Sequence, residues 1–344
     1  MARSDLLKKL FEGYQSRDDK LFRAAAEEII SEERMKQHPV LANELQRILA
    51  NGVNRMTPVQ GYGAGYDPVP MDSDRRTPLL SIRTPDRYFN DLVLRPDART
   101  TLNRIMTEVR DWDVLEANGL KPSRRLLFCG PSGCGKTATA EAVSAELGLP
   151  MLYVRFDSVV SSLLGETAAN LRKVFDYSSR GQWVVFFDEF DAIGRSRDDV
   201  TEHGEIKRVV NSFLQLLDGF NSRTLVIAAT NFAQVLDPAI WRRFDEVLRF
   251  DLPSREALEL LVTTRLRPLQ VQKKQIKLIV DALDGATFAD AERACFDARK
   301  LCALEGCSTL RLSDVEVAIE RYHYRQSVLD LEYPTDLSPT IDKK

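Results

Sequence analysis

Residues 130–137, Gly-Pro-Ser-Gly-Cys-Gly-Lys-Thr, set glycines, a lysine and a hydroxyl at the spacing G-x-x-x-x-G-K-[ST]. The chemistry that this spacing permits is capture of a triphosphate. Glycines let the backbone coil tightly and turn its N–H groups inward as an anion-binding nest, so Pro131, Ser132, Gly133, Cys134 and Gly135 are candidate phosphate contacts. Lys136 is expected to reach the β- and γ-phosphates, and the Thr137 hydroxyl to ligate Mg²⁺. An apolar strand, Arg125-Leu-Leu-Phe-Cys129, leads in, and an Ala-rich helical pattern follows from Thr137 to Leu147. The positive end of that helix would face the phosphates.

A second constellation turns capture into hydrolysis. Val184-Val-Phe-Phe-Asp188-Glu189 is an apolar strand that ends in two carboxylates. Asp188 is expected to hold Mg²⁺, and Glu189 to polarise the attacking water as general base. Leu225-Val-Ile-Ala-Ala-Thr-Asn231 is a further buried strand with an amide at its end, suited to hold the lytic water or the γ-phosphate. A lone Asn after a strand is more often a turn residue. Here it is followed by Leu236-Asp-Pro-Ala-Ile-Trp-Arg242-Arg243-Phe244-Asp245.

With these runs, residues 88–323 resemble the AAA family of ATPases, within the wider AAA+ group. The resemblance implies ATP as substrate, Mg²⁺ as cofactor and Asn231 in the role called sensor 1. It also implies that Arg242 and Arg243 reach the nucleotide of a neighbouring subunit as arginine fingers, within a homo-oligomeric, hexameric ring; two surface arginines on a helix are the plainer reading. Phe89-Asn-Asp91-Leu92-Val93 is similar to the family's stretch against adenine, which gives Asp91, Leu92 and Val93 as candidate contacts. Gly285-Ala-Thr-Phe-Ala289-Asp290-Ala291 is similar to the lid motif that closes over nucleotide, and adds Ala289. Leu94 and Phe288 stand where the family has glycine, so a side chain there either crowds the base or stacks on it.

Ser161-Ser-Leu163-Leu164-Gly165-Glu166 aligns with the family's pore loop, making Leu163, Leu164 and Gly165 candidates for substrate contact. Leucine replaces the usual aromatic, with less area and no ring face. Packing of Leu163 and Leu164 into the domain is the competing reading. The segment ending Leu217-Asp218-Gly219-Phe220 resembles the one through which neighbouring subunits sense each other's nucleotide.

Positioning these residues requires an α/β fold: a doubly wound, parallel-sheet nucleotide-binding core over 88–252, then a four-helix lid over 253–323. Apolar runs at 126–129, 151–154, 184–187 and 225–229 suit buried parallel strands. Helical patterns fall at 137–147, 167–179 and 205–218, and in the lid at 254–267, 273–283, 288–304 and 313–323. Residues 1–50 read as an amphipathic helical module, with Leu6, Leu7, Leu10, Phe11 and Tyr14 on its first face. The Gly- and Pro-rich run 51–87 is expected to be a linker, and 324–344 a loose tail.

Acids and bases nearly cancel in the 344 residues, at a net charge of −3, which argues against a nucleic-acid partner. The N-terminus has no apolar signal core, and no run approaches the about 18 apolar residues that span a bilayer. The odd number of cysteines, Cys129, Cys134, Cys295, Cys302 and Cys307, has neither metal nor disulfide spacing, so reduced thiols in the cytoplasm are expected. No Asn-Lys-x-Asp guanine motif and no Leu-Ser-Gly-Gly transporter signature occur. The leading expectation is an ATP-hydrolysing ring that remodels or threads protein, with the N-terminal module recruiting substrate or adaptor. The alternative is a nucleotide-controlled oligomeric scaffold that regulates a separately encoded protease or nuclease, by analogy in bacterial defence against phage.

Overall fold

The computed structural model divides the chain into two compact units, Met1–Asp67 and Pro68–Lys344. It describes residues 67–155, 164–190, 202–231, 238–267 and 269–332, together with Val159 and helical positions scattered between 6 and 29. In the first unit Leu6 and Ala25 are buried, whereas Phe11 is 69% exposed. Phe11 was expected on the face of Leu6, but five helical residues carry it about 140° round the axis. The rest of the expected module, and residues 51–66, lie outside the described residues.

The second unit is built on a six-stranded sheet of Ser81–Arg83 (β1), Arg125–Cys129 (β2), Met151–Arg155 (β3), Val184–Asp188 (β4), Leu225–Thr230 (β5) and Glu246–Arg249 (β6). The strand order is β1-β3-β4-β5-β2-β6. All neighbours are parallel except the antiparallel edge pair β1–β3. The helices of this part are Pro96–Arg110 (α1), Trp112–Ala117 (α2), Lys136–Leu147 (α3), Leu164–Ser178 (α4), Glu202–Gly219 (α5) and the single turn Pro238–Trp241 (α6).

Alternation along each strand sends successive side chains to opposite faces, and both faces are covered, which is why the strands read as unbroken apolar runs. Leu126, Phe128, Phe186 and Ile227 share one core with Ile105 and Val109 of α1 and Ala140 and Val143 of α3. On the other face, the ring of Phe187 lies 5.7 Å from Phe175 of α4 and 5.2 Å from Phe213 of α5. Proline in the first turn of α1 fits a position whose N–H has no helical partner, and Leu102, Ile105, Met106 and Val109 form its buried stripe. Gly148, at φ 67°, closes α3 in the left-handed conformation.

Arg255–Leu266 (α7), Lys273–Ala282 (α8), Phe288–Leu304 (α9) and Leu312–Glu332 (α10) enclose a separate core that includes Leu261, Val262, Ile279, Ala294 and Val315. Ser254 and Thr287 cap α7 and α9 by accepting the N–H groups of Ala257 and Asp290. Two expectations need correction. The run expected as linker to Arg87 is built into the second unit from Pro68 onward, because Leu79 and Leu80 are buried and β1 pairs with β3. The last helix passes the expected end at 323 and runs to Glu332, with Tyr322 still buried against the lid core. Among the described residues no helix is long and apolar enough to cross a membrane.

Candidate active site at the carboxyl ends of the central strands

Strands β4, β5 and β2 are adjacent and parallel, so the segments that leave their carboxyl ends converge. There they border a cavity of about 490 Å³. From the sheet side come Ser132, Gly133, Cys134, Gly135, Lys136 and Thr137, then Asp188, Glu189 and Asn231. From the lid side come Leu261, Arg265, Phe288, Ala289 and Glu292, while Asp91, Leu92, Val93 and Leu94 close a third wall.

The phosphate-binding loop depends on backbone that only glycine tolerates. Gly130 has φ 148°, and a Cβ on it would lie 1.8 Å from the carbonyl oxygen of Phe250, just beyond β6. Gly133, at φ 74°, sits under the lid: a Cβ would come 2.7 Å from Thr287 Oγ1. The amide of Ala289 donates to Gly133 O at 3.0 Å, which fastens the start of α9 to the loop. Lys136 is buried, and its Nζ donates to Gly130 O, Pro131 O and Asn231 Oδ1 at 2.7, 2.8 and 2.8 Å. The expected lysine and sensor amide are therefore in direct contact. Pro131 contributes its carbonyl to this network. The side chain of Cys134 is buried in the sheet core, and burial pushes its thiol up; the same effect takes Cys129 to about 11.

Asp188 gathers three donors. Its Oδ2 accepts from Thr137 Oγ1 at 3.3 Å and from Tyr153 OH at 2.9 Å, and its Oδ1 accepts the Glu189 N–H at 3.0 Å. Glu189 is exposed and has φ 55°, a left-handed conformation costing about 1–2 kcal/mol in a non-glycine residue. Burial and then the Asp188 hydrogen bond push the Tyr153 phenol up to about 12, so it is a donor at neutral pH. Tyr153 was not singled out in the sequence, where it reads as one more aromatic in an apolar strand.

On the third wall Leu92 and Leu94 pack on the sheet core, and Val93 packs on the lid core. Leu92 is extended, at φ −114° and ψ 147°, which sends neighbouring side chains opposite ways. Arg265 of α7 donates to Asp91 O at 2.9 Å and pairs with Glu292 at 2.7 Å. Neither residue carries a sequence signal. Phe288 and Leu94, the departures from glycine, both line the cavity.

Arg242 and Arg243 do not line this cavity; both are exposed. Around them the chain is pinned. Phe244 is buried, and Asp245 Oδ2 accepts the N–H groups of Arg124 and Arg125 at 2.9 Å each, at the start of β2. Arg243 forms an ion pair with Asp218 at the end of α5, and Arg125 lies 3.5 Å from the same carboxylate. Among the pore-loop candidates, Leu164 and Gly165 open α4, and Leu163 lies outside the described residues.

The chain is similar to known proteins. The model of the family described as "ATPase family associated with various cellular activities (AAA)" matches residues 126–252. The uncharacterized AAA family ATPase y4kL of Sinorhizobium fredii is 40% identical over 93% of this chain and 95% of its own length. The ATP-dependent zinc metalloprotease FtsH 3 of Sphaerobacter thermophilus is 33% identical over 72% of this chain, which spans 52% of that protein. The proteasome-activating nucleotidase of Pyrococcus furiosus is 29% identical over 70% of this chain, and 63% of that protein is covered.

Proposed function

The chain belongs to the AAA family and hydrolyses ATP, and from this premise we propose that it acts as a subunit of a hexameric ring that remodels or threads protein. The observation that carries the ring is the arginine pair: Arg242 and Arg243 are exposed on pinned backbone and do not border their own cavity. Such a pair is useful to the nucleotide of a neighbour, and a head-to-tail interface of that kind closes into a ring. A protein substrate is supported by two matched relatives, a proteasome-activating nucleotidase and an ATP-dependent metalloprotease. Peptide cleavage itself is not carried over. The three histidines of this sequence, His38, His203 and His323, do not form the H-E-x-x-H pair that binds zinc in such a protease.

Within one site, the N–H groups of residues 132–137 cradle the phosphates and Lys136 shifts from its carbonyl and amide partners to the β- and γ-oxygens. Thr137 and Asp188 form a hard-oxygen pair 3.3 Å apart that suits Mg²⁺. Among the described residues no group of three or more His, Cys, Asp or Glu offers a fuller cage, and Mg²⁺ commonly takes one or two protein oxygens with phosphate and water. Bound there, it would neutralise charge on the phosphate oxygens. Glu189 takes a proton from the attacking water, Asn231 orients that water against the γ-phosphate, and an arginine of the next subunit stabilises the charge that develops.

Subunit mixing tests the shared site. Arg243→Ala and Lys136→Ala subunits are each expected to be inactive alone and to recover ATP turnover when mixed; full turnover by an isolated Arg243→Ala monomer would overturn the reading. A Glu189→Gln ring, expected to hold ATP without hydrolysing it, tests the substrate. Unfolded polypeptide trapped in it supports remodelling. Capture of one stoichiometric folded partner would favour the scaffold reading, for which the leucine at 163 in place of an aromatic speaks.

A further inference from the structure

We propose that Tyr153 is the positioning residue for Asp188, and that Arg83 on the edge strand holds Tyr153 in place. The proposal rests on the reading of Asp188 as a metal-holding carboxylate. Tyr153 is paired in register with Phe186, two residues before Asp188, and its ring centroid lies 5.8 Å from that of Phe186. From there the phenol extends along β4 toward its carboxyl end and donates to Asp188 Oδ2 at 2.9 Å.

Asp188 is the last residue of β4: it is still paired with Arg155 of β3, but the β4–β5 ladder has already ended at Phe187↔Ala228, so only one neighbouring strand holds its backbone. The other side-chain donor on Oδ2 is the Thr137 hydroxyl, at the longer distance of 3.3 Å. Thr137 is also the second expected metal ligand, and a hydroxyl that turns its lone pair to a cation turns its proton away from this geometry. The phenol has no such second task. It can hold the carboxylate's rotamer with and without the ion, as outer-shell donors do for ligating carboxylates.

Arg83 fixes the phenol from behind. Its guanidinium carbon stands 3.4 Å from the Tyr153 ring centroid, a close cation–π contact. The contact follows from the topology: β1 runs antiparallel beside β3, with Ser81 opposite Tyr153 and Arg83 two residues further along. Four residues on four elements thus form one line, Arg83 on β1, Tyr153 on β3, Asp188 on β4 and Thr137 on α3. The line begins on the segment that enters the sheet from the N-terminal side, so whatever displaces β1 is felt at the metal-holding carboxylate.

The test compares the affinity of the full chain for a fluorescent ATP analogue (mant-ATP) in Mg²⁺ and in EDTA, in a Glu189→Gln background. Tyr153→Phe is expected to leave the EDTA affinity unchanged and to cut the Mg²⁺-dependent tightening about tenfold, as befits a lost hydrogen bond to a charged acceptor. Arg83→Met is expected to act in the same direction by about threefold, at the scale of a cation–π contact, and it carries the test should Tyr153→Phe not fold. Asp188→Ala is the control. If it keeps the full Mg²⁺ effect, the reading of Asp188 as a metal ligand falls. If Asp188→Ala abolishes the effect while Tyr153→Phe and Arg83→Met retain it, the positioning role falls and the metal site stands.

Discussion

Lys136 and Glu189 lie in one cavity and should fail differently. Lys136→Ala removes the cation proposed to face the phosphates, so nucleotide binding itself is expected to be lost in a direct titration. Glu189→Gln keeps shape and removes the proposed base, so binding should persist while turnover falls by about 10²–10⁴-fold. The glycines are a sharper probe of the backbone. Gly130→Ala would put a Cβ 1.8 Å from a backbone oxygen, and Gly133→Ala would put one 2.7 Å from a side-chain hydroxyl. The first is expected to cost the fold, about 3 kcal/mol or more by overpacking. The second should spare the sheet, lift α9 from the loop and weaken nucleotide binding about tenfold, an effect of about 1.4 kcal/mol. These glycines, with Lys136, Thr137 and the two carboxylates, are legible from sequence because each backbone turn or ligand role demands one residue type at a fixed spacing. Tyr153 and Arg265 are not, since a tyrosine in a strand or an arginine on a helix satisfies many environments. Their partners, Asp188 and Asp91 O, lie far off in the chain.

Elements were legible in proportion to their burial. The central strands show as continuous apolar runs because helices cover both faces. β1 and β6, the edge strands, are short and interrupted by polar or charged residues, Ser-Ile-Arg and Glu-Val-Leu-Arg, and carry no such signal. The register of β1 against β3, and not its composition, defines it as a strand. In the lid, Asp314 near the start of α10 is almost fully buried and accepts from the backbone and side chain of Arg311 and from Cys302 Sγ. The Arg311 hydrogen bond holds its carboxyl below the usual range. A carboxylate depressed in the folded state stabilises at pH values above its unfolded value of about 3.9, and that contribution is lost as pH falls through the folded value. Asp314→Asn is therefore expected to cost about 2 kcal/mol at pH 7 and to flatten the acid limb of the lid's stability curve, as followed by thermal melts from pH 7 to 2.

At the scale of the whole molecule, Arg243 has a use inside its own chain as well as the proposed use outside it. The carboxylate of Asp218 holds it against the end of α5, beside Arg125. Asp218→Ala should release the guanidinium, whose pairing is half-exposed and so worth no more than about 1 kcal/mol to the monomer. Stability of the isolated chain should hardly move, whereas concentration-dependent ATP turnover should shift, as sedimentation and activity measured across one dilution series would show.

The tripeptide Leu92-Val93-Leu94 has a consequence for how the molecule melts. Its outer residues belong to the sheet's core and its middle one to the lid's, so neither core can come apart without pulling on the other through adjacent peptide bonds. A calorimeter should accordingly record the sheet and the lid as one endotherm, and nucleotide should raise that single peak. In Val93→Gly, which withdraws the middle residue from the lid, the peak should broaden but stay single, because Ala289 and Arg265 still tie the lid to the loop and to Asp91.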